Sequence, residues 1–188
     1  MAAAKKSLER QASLVFLDES GYLLQPLRRR VWAPVGRTPI QHAWDRHDRV
    51  TALAALTRAP WAERFGLYYN LLDHNARTPD VAKFLREVHG HIRHSLLLVC
   101  DRWSVHRAAV RRLQQAGCDW LQVEWLPAYA PDLDPVEYVW NQSKYGDLAN
   151  FIPDDIRQLQ DTLDHVLQEY RHEPNRLHSF FQAARLIL

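Results

Sequence analysis

The sequence predicts an α/β protein whose mixed central sheet, of about five strands, is flanked by helices on both faces. Three observations lead to this prediction. Short apolar runs typical of strands dominate the first part of the chain, and strand-like and helix-like segments alternate after it. A third is that 188 residues, of which 47% are hydrophobic, suffice for one buried core. We therefore expect a single main domain.

The first strands are predicted from apolar runs that are closed by turn residues. Residues 14–18 (LVFLD) form a nearly unbroken apolar run before Ser-Gly, which is typical of a central strand buried on both faces. Residues 21–39 contain two glycines and three prolines, so we expect a hairpin-type excursion there. Residues 49–56 and 65–72 then read as two further strands, the second rich in aromatic residues.

From Thr78 onward the hydrophobic period becomes helical. Thr78-Pro79 begins a predicted helix that runs to Gly90. Residues 95–101 form a buried strand, Ser104 is predicted to cap a helix that ends at Gly117, and residues 120–126 form another strand. The remaining predicted elements are helices at about 135–149 and 155–171, and a short final helix that carries Phe180 and Phe181.

Charge is distributed unevenly, although the net charge is only +2. Residues 21–44 contain no acid, and residues 134–173 contain nine acids. The two basic groups are Arg28, Arg29, Arg30 and Arg37, and Arg102, Arg107, Arg111 and Arg112. These groups could meet a polyanion such as DNA, or they could simply lie on solvated faces.

Nothing in the sequence indicates a membrane or a disulfide framework. The run at residues 95–100 is far shorter than the roughly 20 residues of a membrane span, and the N-terminus lacks the apolar segment of a signal peptide. The two cysteines, Cys100 and Cys118, are expected to be buried and reduced. We therefore predict an intracellular, cytoplasmic protein without a membrane partner.

Three acids stand at the ends of predicted elements: Asp18 after the first strand, Asp101 after a later strand, and Glu137 in the first turn of a helix. Glu19 must point to the other side of the sheet, because side chains alternate along a strand. Asp18 and Asp101 could instead bind backbone amides of the turns that follow them. Glu137 could complete a capping box with Asp134.

The chain before Glu137 is stiffened by Pro127, Pro131 and Pro135, which is more than a helix cap requires. Three carboxylates beside a basic surface suit Mg²⁺ or Mn²⁺, since both ions prefer oxygen ligands and substrate phosphates. Two such ions, roughly 3.5 to 4 Å apart, support in-line phosphoryl transfer. Asp132 and Asp134 are expected to serve the turn and the helix cap.

Three blocks of sequence resemble the DDE transposases of the mariner-like superfamily, in its bacterial insertion-sequence branch. They are LVFLDES at 14–20, LLLVCDRWSVHRA at 96–108 and WLPAYAPDLDPVEYVWNQSK at 125–144, and 35 residues separate the second acid from the third. The resemblance implies an RNase H-like fold in which Asp18, Asp101 and Glu137 hold two Mg²⁺ or Mn²⁺ ions. It further implies cleavage of double-stranded DNA at transposon ends, transfer of the freed 3′-hydroxyl to target DNA, and a homodimer.

The resemblance also bears on nearby residues. His106 matches a histidine that the family commonly shows five residues after the second acid, and would lie near the site, although an ordinary helix histidine explains it equally well. Arg102 replaces the asparagine of many relatives and would contact DNA phosphate or weaken metal binding. Lys144 lies two turns after Glu137 and could meet a phosphate or be surface.

The resemblance also implies an N-terminal helix-turn-helix region, for which we expect no counterpart in this sequence. We expect an irregular tail at 1–12, the RNase H-like catalytic domain at 13–172 and a C-terminal helical extension at 173–188. The chain would be a catalytic domain, the second reading frame of a split element with a separately encoded helix-turn-helix partner, or a remnant, and it would act at the bacterial nucleoid.

Three alternatives stay open. The chain could be a catalytically silent descendant that binds DNA or assists assembly, or an RNase H-type ribonuclease. The histidines of residues 89–94 (HGHIRH) could bind Zn²⁺, but a solvated loop is the better interpretation, because no partner ligand has suitable spacing.

Overall fold

The computed structural model describes residues 2–25, 27–40, 42, 48–61, 64–128 and 130–186. Its centre is a five-stranded sheet with the strand order β3-β2-β1-β4-β5. The strands are β1 (Ser13–Leu23), β2 (Arg49–Arg58), β3 (Phe65–Leu72), β4 (Leu96–Cys100) and β5 (Leu121–Trp125). The first three strands pair antiparallel, and β4 and β5 run parallel to β1, so the sheet is mixed as predicted.

Six α-helices lie among the described residues. They are α1 (Ala2–Glu9), α2 (Thr78–Ile92), α3 (Ser104–Gln115), α4 (Pro135–Gln142), α5 (Ile156–Arg171) and α6 (Pro174–Ala183). A 3-10 helix (Pro131–Leu133) precedes α4, and a π-helical turn (Ser143–Asp147) extends it. No helix of the described segments is long and apolar enough to cross a membrane.

The alternation of side chains along β1 divides the hydrophobic core between the two faces of the sheet. Leu14 and Phe16 pack with residues of α4, α5 and α6 on one face. Val15 and Leu17 pack with residues of α2 and α3 on the other. Asp18 therefore belongs to the α4 side and Glu19 to the α3 side, as the strand period requires.

The pairing of β1 with β4 ends before Asp18 and Asp101. Its last pair is Phe16 with Val99, and Asp18 and Asp101 lie two residues beyond it on their respective chains. β1 itself continues to Leu23 because β2 pairs with it along its whole length. The sheet thus opens where the two aspartates are, at the carboxyl end of β4, a position where open sheets commonly bind ligands.

Several local predictions were wrong. β1 runs through Ser20 and Gly21 instead of ending there. α2 continues past Gly90 to Ile92, where Arg93 ends it in the left-handed conformation (φ 63°), so HGHIRH is not a loop over its first residues. The first residues form α1, which contacts β1 and β4, and not an irregular tail.

Three further predictions concern the cap of α3, the cysteines and the final helix. Ser104 is the first residue of α3 and not its cap, because Trp103 occupies the cap position. Cys100 is buried but Cys118 is only partly buried, and both are free. The final helix packs as predicted: Phe181 lies 5.8 Å from Phe16 and 5.1 Å from Phe65, measured between ring centroids.

Candidate active site

The three acids that the sequence singled out line one cleft of about 480 Å³. β1 contributes Asp18, the turn after β4 contributes Asp101, and the first turn of α4 contributes Glu137. The rest of the lining consists of Arg102, Leu126, Pro127, Ala128, Ala130, Pro131 and Asp134. Residues far apart in the chain thus converge at the open end of the sheet.

Asp18 is partly buried beneath α4. Its Oδ2 accepts a hydrogen bond of 2.9 Å from Nε1 of Trp140, which lies one turn after Glu137. Burial, followed by the negative charges of Glu19 and Glu137, raises the pKa of Asp18 from 3.8 to about 7, although the Trp140 hydrogen bond opposes the rise. The position therefore disfavours an uncompensated negative charge.

Asp101 is held by the chain that follows it. Its Oδ1 accepts hydrogen bonds from the backbone amide of Trp103, at 2.9 Å, and from Nδ1 of His106, at 2.7 Å. The first bond confirms the alternative that this aspartate organises the next turn. Asp101 can hold this turn and still line the cleft, because both hydrogen bonds end on Oδ1 and leave Oδ2 to face other groups.

Glu137 does not take part in a capping box. The side chain of Asp134 caps α4 by accepting a 3.0 Å hydrogen bond from the amide of Val136. The amide of Asp134 itself donates to the carbonyl of Pro131, at 2.9 Å, so it is already satisfied without Glu137. The capping explanation for Glu137 is thus wrong, and its exposed carboxylate lines the cleft instead.

Asp134 is a cleft residue that sequence reasoning assigned only to the cap. Its side chain is 4% exposed. Burial, followed by the charge of Asp18, raises its pKa well above the ordinary value. Its place on the proline-stiffened segment, three residues before Glu137, was the signal that could have identified it.

His106 is hydrogen-bonded to Asp101, does not itself line the cleft, and is 1% exposed. Its Nδ1 bonds to Asp101, and its Nε2 lies 2.9 Å from Oε2 of Glu19. The second contact is close enough for an ion pair but is not aligned as a hydrogen bond. Burial lowers the pKa of His106, yet the contacts with Glu19 and Asp101 outweigh it, so the pKa is raised.

The predicted basic residues divide into two groups. Arg102 is exposed and lines the cleft. Lys144 donates to Oγ of Ser20 at 2.6 Å and lies 5.0 Å from the ring centre of Tyr22. Burial lowers its pKa, against the nearby charges of Glu137 and Asp18.

Arg28, Arg29 and Arg30 are exposed and do not line the cleft. The backbone amide of Arg29 donates to Oδ1 of Asn150 at 2.8 Å, and its guanidinium donates to the carbonyl of Tyr145. These bonds attach the excursion after β1 to the chain around the π-helical turn. The basic group is therefore separate from the acidic cleft.

The donor set fits a divalent cation in its chemistry, because carboxylate oxygens are the ligands that such an ion prefers. The carboxylates of Asp18, Asp101 and Glu137, together with that of Asp134, line one cleft. A bound cation would compensate the negative charge that burial and the neighbouring carboxylates disfavour at Asp18. In the described part of the chain, however, no three His, Cys, Asp or Glu side chains lie close enough together to hold an ion. Binding an ion there would require the carboxylates to move closer together than they lie in this structure.

Comparison with known proteins agrees with the fold of this chain. The family model described as "DDE superfamily endonuclease" matches residues 13–160. Among solved structures, the Mos1 mariner paired-end complex with Mn aligns with a TM-score of 0.64 and 19% sequence identity, covering 98% of this chain and 59% of that chain. The corresponding complex with Mg has a TM-score of 0.63 and 19% identity, covering 98% and 58%.

A third structure, the Mos1 transposase paired-end complex with the left transposon end, has a TM-score of 0.60 and 17% identity, covering 97% of this chain and 60% of that chain. The chain thus spans about three fifths of the length of these relatives, which share its RNase H-like fold. No curated protein sequence matches it significantly. Because the family model covers most of the sequence, from β1 into α5, this chain belongs to the DDE superfamily endonucleases.

Proposed function

We propose that the chain is the catalytic domain of a DNA transposase, which cuts a DNA strand at a transposon end and joins the freed end to target DNA. The observation that carries the proposal is the convergence of Asp18, Asp101 and Glu137 on one cleft. Family membership supports nuclease chemistry at this cleft. The Mos1 structures with Mn and with Mg support the use of a divalent cation.

The reaction consists of two phosphoryl transfers at the same cleft. In the first, a water oxygen bonds to the scissile phosphorus as the P–O3′ bond breaks, which leaves a 3′-hydroxyl. In the second, that hydroxyl bonds to a target phosphorus and displaces the target's own 3′-oxygen. Two Mg²⁺ or Mn²⁺ ions, when bound, would supply the charge that stabilises the attacking and leaving oxygens.

The chain's own residues would position the reactants. Asp18 is fixed by Trp140, and Glu137 is delivered by a helix whose start is set by Pro131, Asp134 and Pro135. Such rigid supports keep ligand oxygens within the narrow tolerance that catalysis requires. The hydrophobic lining at Leu126 and Pro127 would exclude water from one side of the scissile phosphate.

A second hollow suggests the path of the DNA strand. It has a volume of about 310 Å³, shares Pro131 and Glu137 with the cleft, and ends at Lys144 and Tyr145. We place the phosphates that flank the scissile bond along this path, with Arg102 and Lys144 as their contacts. Arg28, Arg29 and Arg30 would meet DNA farther from the reacting bond.

We further propose that the active form is a homodimer, with a separately encoded helix-turn-helix protein as a second partner, at the bacterial nucleoid. The Mos1 relatives were solved as paired-end complexes. In this chain the excursion after β1 exposes large apolar side chains, including Trp32, Val35 and Ile40. A second copy of the chain would cover that apolar surface.

A nicking assay on supercoiled and linear DNA tests the proposal. With Mg²⁺ or Mn²⁺, the wild type should nick, and Asp18→Asn, Asp101→Asn and Glu137→Gln should each reduce the rate by at least about 100-fold, because each removes a ligand charge. Asp119→Asn is the matched control, since Asp119 is exposed at the opposite end of the sheet, before β5.

A DNA-binding experiment tests Lys144. In Lys144→Met, the dependence of DNA affinity on salt concentration should fall by the amount expected for the loss of about one phosphate contact.

The outcomes separate the alternatives. Equal nicking by the wild type and Asp101→Asn would exclude this cleft as the catalytic site. DNA binding without nicking in the wild type would favour a silent binding or assembly module. Cleavage confined to the RNA strand of an RNA–DNA hybrid would identify a ribonuclease instead.

A further inference from the structure

We propose that His106 is a positioning residue, held from the other face of the sheet by Glu19, which fixes Asp101 so that one of its carboxylate oxygens is presented to a divalent cation. The inference rests on the proposed function and assigns two residues that lie outside the acidic triad. We call the chain of contacts Glu19, His106 and Asp101 the histidine bridge.

Asp101 needs such a support because its side chain is exposed. It is 57% accessible to solvent and lies in the turn between β4 and α3, where a carboxylate can rotate freely unless something holds it. The two hydrogen bonds from Trp103 and His106 both end on Oδ1. They fix the carboxylate plane and leave Oδ2 as the oxygen that can bind a cation.

His106 is suited to hold a ligand in place because it is itself immobile. It lies in the first turn of α3, is 1% exposed, and packs edge-on against Trp103 with 5.3 Å between ring centroids. Histidine has two nitrogens on opposite sides of a rigid ring, so it can contact two carboxylates at once. Here those carboxylates are Asp101 and Glu19.

Glu19 ties the bridge to the strand that carries Asp18. Since the β1–β4 pairing ends at Phe16 and Val99, no ladder hydrogen bond fixes the distance between the two aspartates. The contact of 2.9 Å between Glu19 and His106 links β1 to α3 beyond that point. The histidine bridge therefore replaces the missing strand pairing at the place where the two ligands must keep their spacing.

The test measures Mn²⁺ binding by calorimetry and by the electron paramagnetic resonance of the ion, with DNA absent. In His106→Asn, the side-chain amide can take the place of Nδ1 and still donate to Asp101. In His106→Gln, the amide lies farther out, near the place of Nε2, and Asp101 loses its donor. We expect His106→Asn to retain most of the Mn²⁺ affinity and His106→Gln to lose roughly 10- to 100-fold, as for other groups that orient a metal ligand.

Two further variants complete the design. Glu19→Gln keeps the size of the side chain and should weaken Mn²⁺ binding less than His106→Gln does, because it loosens the bridge without removing the donor to Asp101. His94→Gln is the control for the loss of a bonded histidine: His94 contacts Ser13 Oγ and the Ile92 carbonyl, away from the cleft. It should leave Mn²⁺ affinity unchanged. Thermal melts establish that each variant is folded.

The outcomes distinguish failure of the bridge from failure of the proposed function. If Asp101→Asn loses Mn²⁺ binding but His106→Gln does not, the positioning role is overturned and the site stands. If His106→Asn and His106→Gln lose affinity equally, the rescue fails and the histidine has only a structural role. If Asp101→Asn binds Mn²⁺ like the wild type, the proposed cation site is wrong, and the bridge with it.

Discussion

Asp18 and its neighbours show how residue-scale electrostatics prepares the cleft. Burial and the adjacent charges of Glu19 and Glu137 work against ionisation of Asp18, and Trp140 works for it. Ionisation of a buried carboxylate among others of the same charge opposes folding. A bound cation would compensate this charge.

This arrangement predicts a pH-dependent stability in the metal-free protein. The pKa of Asp18 is 3.8 ordinarily and about 7 in the folded state, so the unfolded chain ionises first as pH rises. The folded state should therefore lose stability between about pH 4 and pH 7 and carry the full penalty above pH 7. Mg²⁺ should raise the melting temperature more at high pH than at low pH.

Thermal melts in EDTA and in Mg²⁺, each across this pH range, provide the measurement. Asp18→Asn should reduce the metal-free decline, leaving the part that the raised pKa of Asp134 contributes, and should remove most of the Mg²⁺ effect. Asp119→Asn should change neither. An Asp18→Asn protein with the wild-type pH dependence would show that another group is responsible.

At the scale of secondary-structure elements, α4 delivers Glu137 because its first turn is fixed at several points. Pro135 begins the helix, Asp134 caps it, and the amide of Asp134 is bound by the carbonyl of Pro131. Trp140 and Ser143 then attach the helix to β1, through Asp18 and Tyr22 respectively. A carboxylate on the first turn of such a helix has little freedom in its backbone position.

Two substitutions at Asp134 separate its cap from its charge. Asp134→Asn keeps a good cap and removes a carboxyl that burial and Asp18 make hard to ionise, so it should preserve stability and nicking. Asp134→Ala should cost about 1 kcal/mol of unfolding free energy and reduce nicking, because the start of α4 is loosened. Denaturant unfolding and the nicking assay measure the two effects.

If Asp134→Asn abolished nicking while remaining as stable as the wild type, its carboxylate would be a ligand and not merely a cap. That result would extend the acidic site from three residues to four. Retained nicking would confirm that Asp134 serves as the cap of α4 and that its charge is not needed beside Glu137.

The elements were predicted well where their signals are local, and less well where distant pairing decides. β3 occupies residues 65–72 as expected, because its aromatic run is bounded by turn residues. β1 passes through Gly21 because β2 supplies hydrogen-bonding partners there, including Thr51. The last turn of α2 extends past Gly90 with tertiary support, as His89 stacks on Trp120 at 4.1 Å between ring centroids.

At the scale of the whole molecule, the excursion after β1 stands out from the rest of the surface. The side chains of Trp32 and Val35 are 103% and 105% exposed, which is unusual for large apolar residues. Leu27 and Val31 add to the same exposed segment. Burying such side chains against a second copy would stabilise a dimer through the hydrophobic effect.

The double substitution Trp32→Ser with Val35→Ser should therefore weaken self-association without altering the fold. We expect an unchanged melting temperature at low protein concentration and a shift towards monomer in sedimentation equilibrium, with and without DNA. Leu133→Ser, at a surface residue that is 40% exposed elsewhere, is the control. Dimers that persist unchanged in the double variant would place the interface on another surface.

The positions of the three acids and the order of the elements could be read from the sequence, because hydrophobic period, proline spacing and family blocks are properties of neighbouring residues. The contact of His106 with Glu19, the place of Asp134 in the cleft and the burial of Lys144 beside Ser20 could not. These depend on which strand lies beside which and on where pairing stops. Such contacts join residues distant in the chain, and packing selects them only once the sheet and its helices have formed.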